Sequence, residues 1–151
     1  MEISEQLAAA VAEIFSTMIM MDVTVVQTAP ERTSTFTDSI SGVIGLAGTQ
    51  KGVLALHFPV PVALAVTSSF LGMEVAELGP DVEDAIGELA NMLGGSVKTM
   101  LTDKGRDIQL SMPTTISGGH YDFQSLNDAL RHALGFHTDA GDFLVELQLE
   151  R

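Results

Sequence analysis

Glu88 and Asn91 are the residues of this chain whose types and spacing could do chemistry on a partner. They lie between Pro80 and Leu101, where apolar residues recur every three or four positions and predict an amphipathic helix. The apolar stripe consists of Val82, Ile86, Leu89, Leu93, Val97 and Met100. At about 100° per residue, a carboxylate and a carboxamide one turn apart fall on the opposite, solvent-facing side. That side comprises Asp84, Glu88, Asn91, Gly95 and Lys98.

Other catalytic arrangements fit the sequence poorly. Cysteine is absent, which excludes thiolate chemistry, zinc–thiolate sites and disulfides. No serine lies in a Gly-x-Ser-x-Gly turn, and no glycine-rich phosphate loop is present. The four histidines are His57, His120, His132 and His137, and their spacing matches no helical metal-binding motif. We therefore expect neither a metal nor a cofactor in this chain.

The first half of the chain predicts a helix, a strand, a hairpin and a short helix. Apolar spacing indicates a helix over residues 3–21, with a buried stripe of Ile3, Leu7, Val11, Ile14, Met18 and Met21. The β-branched run 23–26 predicts a strand. Residues 39–46 and 52–58 flank a turn-like segment and predict a β-hairpin. Residues 62–71, which end at Gly72, predict a short helix.

In the second half of the chain, the sequence patterns after the helix at residues 80–101 are less regular. Alternation predicts strands over residues 107–112 and 142–149. Residues 124–137 fit two structures, because Leu126, Leu130 and Leu134 have helical spacing while an antiparallel partner is expected before the last strand. The order of elements resembles that of the first half. We therefore predict an internal repeat, with residues 3–58 and 79–150 as its two copies.

This repeat predicts an α+β fold with two pseudo-symmetric halves. Each half supplies a long helix and about three strands, and the two long helices cover one face of a mostly antiparallel sheet. Glu13 and Ser16 in the first helix occupy the positions of Glu88 and Asn91 in the second. The first copy thus keeps the carboxylate and has a hydroxyl in place of the carboxamide.

Composition indicates one cytosolic domain over residues 1–151. A length of 151 residues with 46% hydrophobic content allows one substantial core. The first residues are acidic and polar, and no apolar run is long enough to span a membrane. A net charge of −13 would repel a phosphate backbone or an anionic membrane surface. We therefore expect neither nucleic acid nor membrane as a partner.

The motif Asp84-x-x-x-Glu88-x-x-Asn91, followed after 21 residues by Pro113, resembles the signature of the CheC, CheX and FliY chemotaxis phosphatases. The opening helix around Phe15 and the strand patterns of residues 52–59 and 141–147 also look like the CheX-like domain. The resemblance therefore covers nearly the whole chain. Any single fragment of it is common on protein surfaces, whereas the combination is more specific.

The resemblance implies that the chain dephosphorylates the phosphoaspartate of a response-regulator receiver domain such as CheY. Asn91 would then orient the attacking water, and Glu88 would contact a lysine of the regulator. A carboxamide offers donors and an acceptor, so it can hold a water without being a strong base. The Mg²⁺ ion would belong to the regulator. Because Ser16 lacks the amide, we expect one active site per chain.

Several interpretations stay open at this stage. Asp84 has either a binding role or only a helix-start charge role. Gly94 and Gly95 either leave a bare surface for the partner or reflect close packing and a kink. The same acidic face could also serve a non-catalytic adaptor that binds a receiver domain or a signalling or flagellar partner. CheX-like proteins can pair through an exposed sheet edge, and the predicted strands leave such an edge open, so the resemblance leads us to expect a homodimer.

Overall fold

The computed structural model describes residues 2–28, 33–102, 107–124 and 129–150. Its three helices are α1 (Ile3–Ile14), α2 (Val60–Leu71) and α3 (Pro80–Leu101), and a π-helical turn at Phe15–Ile19 extends α1. The strands are β1 (Thr24–Thr28), β2 (Thr33–Gly48), β3 (Gly52–Pro59), β4 (Ile108–Leu110), β5 (Thr114–Gln124), β6 (Ala129–Thr138) and β7 (Gly141–Glu150). In the described residues, no helix is long and apolar enough to cross a membrane.

All strands join one antiparallel sheet in the order β1-β6-β7-β3-β2-β4, and β5 also pairs with β2. β4 and β5 follow one another along the same edge of the long strand β2. This arrangement confirms the predicted α+β fold and the predicted hairpin, whose strands are β2 and β3. The internal repeat stays a prediction.

One face of the sheet packs against the helices. Ile86 of α3 lies so close to Gly42 of β2 that a Cβ at Gly42 would be 3.0 Å from the Ile86 backbone oxygen. On the α1 side, Phe15 stacks on Phe143 of β7 with ring centroids 4.9 Å apart. Both long helices therefore lie on the same face of the sheet, as predicted.

The predicted stripe of the first helix is wrong at Met18, whose side chain is 48% exposed. The π-helical turn adds a residue to the winding, which moves the buried positions to Phe15 and Ile19. Met20 then adopts a left-handed conformation and ends the helix, before the predicted residue 21. Periodicity assumes uniform α-helical winding and could not have foreseen this shift.

The second half differs from its prediction in two places. The strand predicted over residues 107–112 is only Ile108–Leu110, and an unpredicted strand, β5, follows Pro113. Proline has no N–H to donate to a ladder, so it separates two segments that pair with the same partner. The ambiguous region is a strand from Ala129, whereas Leu126 lies outside the described residues.

The opposite face of the sheet is covered in part by an arm, which we define as residues 33–38 of β2 and 119–124 of β5. Asp38, at the base of the arm, has a positive φ of 46°. On its N-terminal side Phe36 faces the same side of the sheet as Ser41, five residues later, since both contact His57. Phe36 stacks on His57 of β3 with centroids 4.2 Å apart, and Phe123 contacts the same ring at 4.8 Å. This second buried layer was not predicted.

Candidate active site on α3

The start and the buried side of α3 agree with the sequence. Pro80 occupies the first turn, and Asp81 and Glu83 lie where the helix dipole favours negative charge. Met100 is half-buried, whereas the rest of the predicted stripe is fully buried: Val82, Ile86, Leu89, Leu93 and Val97. The helix is therefore fixed on the sheet, and its outer side has a defined orientation.

The outer side carries the predicted site residues. Asp84, Glu88, Asn91 and Gly95 are all exposed, and Lys98 is half-buried one turn further on. Successive members are three or four residues apart, so they form a single line along the helix. The structure thus brings the carboxylate and the carboxamide together on one accessible surface. Their catalytic and binding roles stay predictions.

A groove of about 400 Å³ opens along the first half of this surface. Its walls are the first turns of α3 and the start of β5, and it is lined by Glu83, Asp84, Gly87, Glu88, Pro113 and Thr115. Three of these residues are acidic. The groove is therefore suited to a cationic group from a partner rather than to an anion.

The segment between β4 and β5 runs beside Asn91. A Cβ at Gly87 would lie 3.7 Å from Pro113, and a Cβ at Gly94 would lie 3.1 Å from Leu110. Gly87 and Gly94 lie one turn before and one turn after Asn91 on the side of α3 that faces this segment. The residues between Leu110 and Pro113 therefore pass Asn91 at the edge of the sheet.

The two consecutive glycines of α3 have different surroundings. Gly94 is buried against Leu110 and Ile44, and a side chain there would have to displace one of them. Gly95 is exposed, and a Cβ there would meet no atom within 4 Å. Close packing therefore explains Gly94, whereas the bare-surface interpretation stays open for Gly95 alone.

The corresponding residues of the first helix are also on the surface. Glu13 and Ser16 are both exposed, but the Ser16 hydroxyl donates to the backbone oxygen of Glu13 at 3.2 Å. Thr17 donates to the same oxygen at 2.7 Å. The serine hydroxyl is thus directed back onto its own helix, and this surface offers no carboxamide.

Sequence reasoning missed a buried polar network on the sheet face beneath the arm. Ser41 Oγ is hydrogen-bonded to Nδ1 of His57 at 2.6 Å and to the Tyr121 hydroxyl at 2.8 Å. His57 Nε2 donates to the Glu146 carboxylate at 2.8 Å, and Arg131 Nε donates to its other oxygen at 2.7 Å. The network joins five strands. Its serine, histidine and carboxylate are nearly inaccessible to solvent, which makes it a structural element.

The protonation of this network follows from its contacts. Burial alone would raise the pKa of Glu146, but the hydrogen bond from His57 and the charge of Arg131 outweigh it and hold the pKa below its usual value. Burial raises the pKa of Tyr121, against the opposing effect of its bond to Ser41. Glu146 is therefore an ionised carboxylate with three side-chain donors, the third being Gln148 Nε2 at 3.3 Å.

Two of the three remaining histidines, His132 and His137, have separate local environments. His132 Nδ1 lies 3.3 Å from Ser4 Oγ, and burial lowers the pKa of this histidine. His137 Nδ1 pairs with Asp142 at 2.6 Å on the surface. Over the described ranges, no group of three or more potential ligands is arranged to hold a metal ion.

Comparison with known proteins places this chain in a family. Residues 40–137 match the sequence model described as "Chemotaxis phosphatase CheX". This chain belongs to the CheX family. A CheX protein of Thermotoga maritima, named CheY-P phosphatase CheX, is 31% identical over 113 residues, which is 74% of this chain and 72% of the relative.

Solved CheX structures have the same fold. CheX from Desulfovibrio desulfuricans is 28% identical with a TM-score of 0.86, over 99% of this chain and 100% of the other. A Borrelia burgdorferi CheX, solved in complex with CheY, BeF3 and Mg²⁺, is 18% identical with a TM-score of 0.80, over 99% of each chain. The latter likeness concerns the fold alone.

Proposed function

We propose that this chain hydrolyses the aspartyl phosphate of a CheY-like response regulator. The observation that carries the proposal is the exposed pair Glu88 and Asn91 on the rigidly packed helix α3 of a CheX-family chain. The Thermotoga maritima relative is named for activity on CheY-P, and the Borrelia burgdorferi structure contains CheY. An exposed helix face suits this task, because the phosphoryl group lies on the partner rather than in a pocket of this chain.

In the proposed reaction, Asn91 enters the regulator's active site and holds a water in line with the phosphorus–oxygen bond. The water oxygen bonds to phosphorus while the bond to the aspartate oxygen breaks. The products are the regulator's free carboxylate, inorganic phosphate and a proton. An acyl phosphate is already reactive, so positioning the nucleophile supplies much of the acceleration.

Glu88 has a docking role in this proposal. Its carboxylate projects from the same face one turn before Asn91, where it can pair with a lysine of the regulator. Asp84 lines the same acidic groove and would add to the attraction, while Gly95 and Lys98 border the contact. The Mg²⁺ that neutralises the phosphoryl oxygens is expected in the regulator, so no acidic residue of this chain has to hold it.

Replacement of Asn91 by Ala tests the catalytic assignment. We expect the acceleration of phosphate loss from the cognate regulator to fall about a hundredfold, because a misplaced water loses the in-line geometry. The measurement is a time course of phosphorylated regulator with and without this protein, over a panel of receiver domains from the same cell. Ser16→Ala, at the corresponding exposed position of the first helix, should leave the rate unchanged.

A binding measurement separates the enzyme from an adaptor. The regulator is loaded with beryllium fluoride as an acyl-phosphate mimic, and its dissociation constant is determined for the wild type and for Asn91→Ala. If the chain is a phosphatase, the wild type accelerates the loss of phosphate from the regulator. Asn91→Ala then binds the mimic but does not accelerate that loss. Tight binding by the wild type without any acceleration would favour the adaptor and contradict the proposed reaction.

A further inference from the structure

Met112 is a large apolar residue whose side chain lies almost entirely in solvent. Its side chain is 87% exposed, the largest value among the large apolar residues of the described ranges. It lies between β4 and β5, in the three residues Ser111 to Pro113 that belong to neither strand. An isolated exposed apolar side chain is ordinary, so its significance depends on how it is held and on what surrounds it.

The backbone that carries Met112 is held on both sides. Ser111 N–H donates to the Gly45 oxygen at 2.9 Å, and the Gly45 N–H donates in return to Ser111 Oγ at 2.8 Å. Pro113 fixes its own φ and faces Gly87 of α3. Met112 is therefore presented from a fixed backbone and not from a long loop.

The position of this segment connects Met112 to the proposed site. Leu110 lies opposite Gly94 and Pro113 lies opposite Gly87, so the residues between them pass the turn of α3 that carries Asn91. The acidic groove with Glu88 begins on the other side of Pro113. The segment that carries the exposed Met112 therefore runs past this turn of α3 on the sheet-edge side, while the carboxylates of the groove lie along the helix.

We propose that Met112 is an apolar recognition contact for the phosphorylated receiver domain. This inference rests on the proposed function and adds a residue that sets affinity without taking part in the reaction. The matching partner surface has an apolar residue beside its phosphoaspartate and a cationic group that faces the groove. An apolar anchor next to polar contacts is a common arrangement at protein interfaces, and methionine adapts well to such a contact.

The test is a steady-state comparison of the wild type, Met112→Ser and Met20→Ser on the phosphorylated regulator. Met20 is the matched control, because it is 80% exposed and precedes β1 at the opposite edge of the sheet. For Met112→Ser we expect KM to rise about tenfold with kcat unchanged, since an apolar side chain buried on binding contributes to substrate and transition state alike. Binding of the beryllium fluoride form should weaken by the same factor, and Met20→Ser should match the wild type.

Three results would overturn the inference. An unchanged KM for Met112→Ser, with an active wild type, rejects the contact and leaves the phosphatase assignment intact. A change in the mass of the assembly by light scattering, with no change in KM, would assign Met112 to contact with a second copy of the chain. A wild type that neither binds nor dephosphorylates any regulator rejects the proposed function and this inference with it.

Discussion

At the scale of single residues, Gly94 and Gly95 show how position decides the effect of one methyl group. Alanine at Gly95 meets only open space, so we expect it to stabilise the protein by about 1 kcal/mol through helix propensity. Alanine at Gly94 would lie 3.1 Å from Leu110 and should lose that gain to steric strain. Urea unfolding midpoints of the two variants test this difference.

The same pair also tests the bare-surface interpretation of Gly95. If the partner approaches closely there, Gly95→Ala should raise KM for the phosphorylated regulator even though it stabilises the fold. Equal stability of both variants would contradict the packing difference. An unchanged KM for Gly95→Ala would remove this residue from the proposed contact.

At the scale of elements, the network beneath the arm should make stability depend on pH. The pKa of Glu146 is lower in the folded protein than its usual 4.5, so the folded state favours the carboxylate. This contribution is fully present above pH 4.5 and is lost as the pH falls through the lower, folded-state pKa. We expect Glu146→Gln to cost about 3 kcal/mol near neutral pH, since it leaves Arg131 without its carboxylate.

Urea unfolding of the wild type and of Glu146→Gln at about pH 7 and about pH 3.5 measures this contribution. The gap between the two proteins should narrow at the lower pH, because the carboxyl group of the unfolded wild type is then largely protonated, which reduces the advantage of the folded state. Glu150→Gln is the matched control, since Glu150 is an exposed carboxylate of the same strand. A gap of constant size would show that the destabilisation has another origin.

The strands that hold this network were predicted only in part. The sequence of β7 alternates between polar and apolar residues, which is typical of a strand with one solvated face. Glu146 and Gln148 are nevertheless buried, because the arm and the polar partners cover that face. The residues that meet there from different strands lie 15 to 89 positions apart, and no local pattern relates them.

At the scale of the whole molecule, the sheet leaves two edges without a further strand in the described part of the chain. β1 ends one side with Val25 and Val26 exposed, and β5 ends the other with Ile116 exposed. Unpaired edges readily add a strand from another chain, so we expect a homodimer. Light scattering at micromolar concentration should give twice the chain mass, and a monomeric mass would contradict the expectation.

The net charge of each copy sets the conditions for that measurement. Two copies, each with a net charge of −13, repel one another over the Debye length, which is about 10 Å at 0.1 M salt. Association should therefore strengthen as salt is added. If the mass remains that of one chain at both low and high salt, the expectation of a dimer is wrong.

The sequence alone determined the helix that carries Glu88 and Asn91, its buried stripe and its exposed line, because these depend on the spacing of neighbours along one helix. It also indicated the hairpin and the α+β class. Only the tertiary structure brought the segment between Leu110 and Pro113 against α3, buried Glu146 under the arm, and distinguished Gly94 from Gly95. Those outcomes depend on strand register and on the approach of α3 to the sheet, which are decided by how the whole core packs.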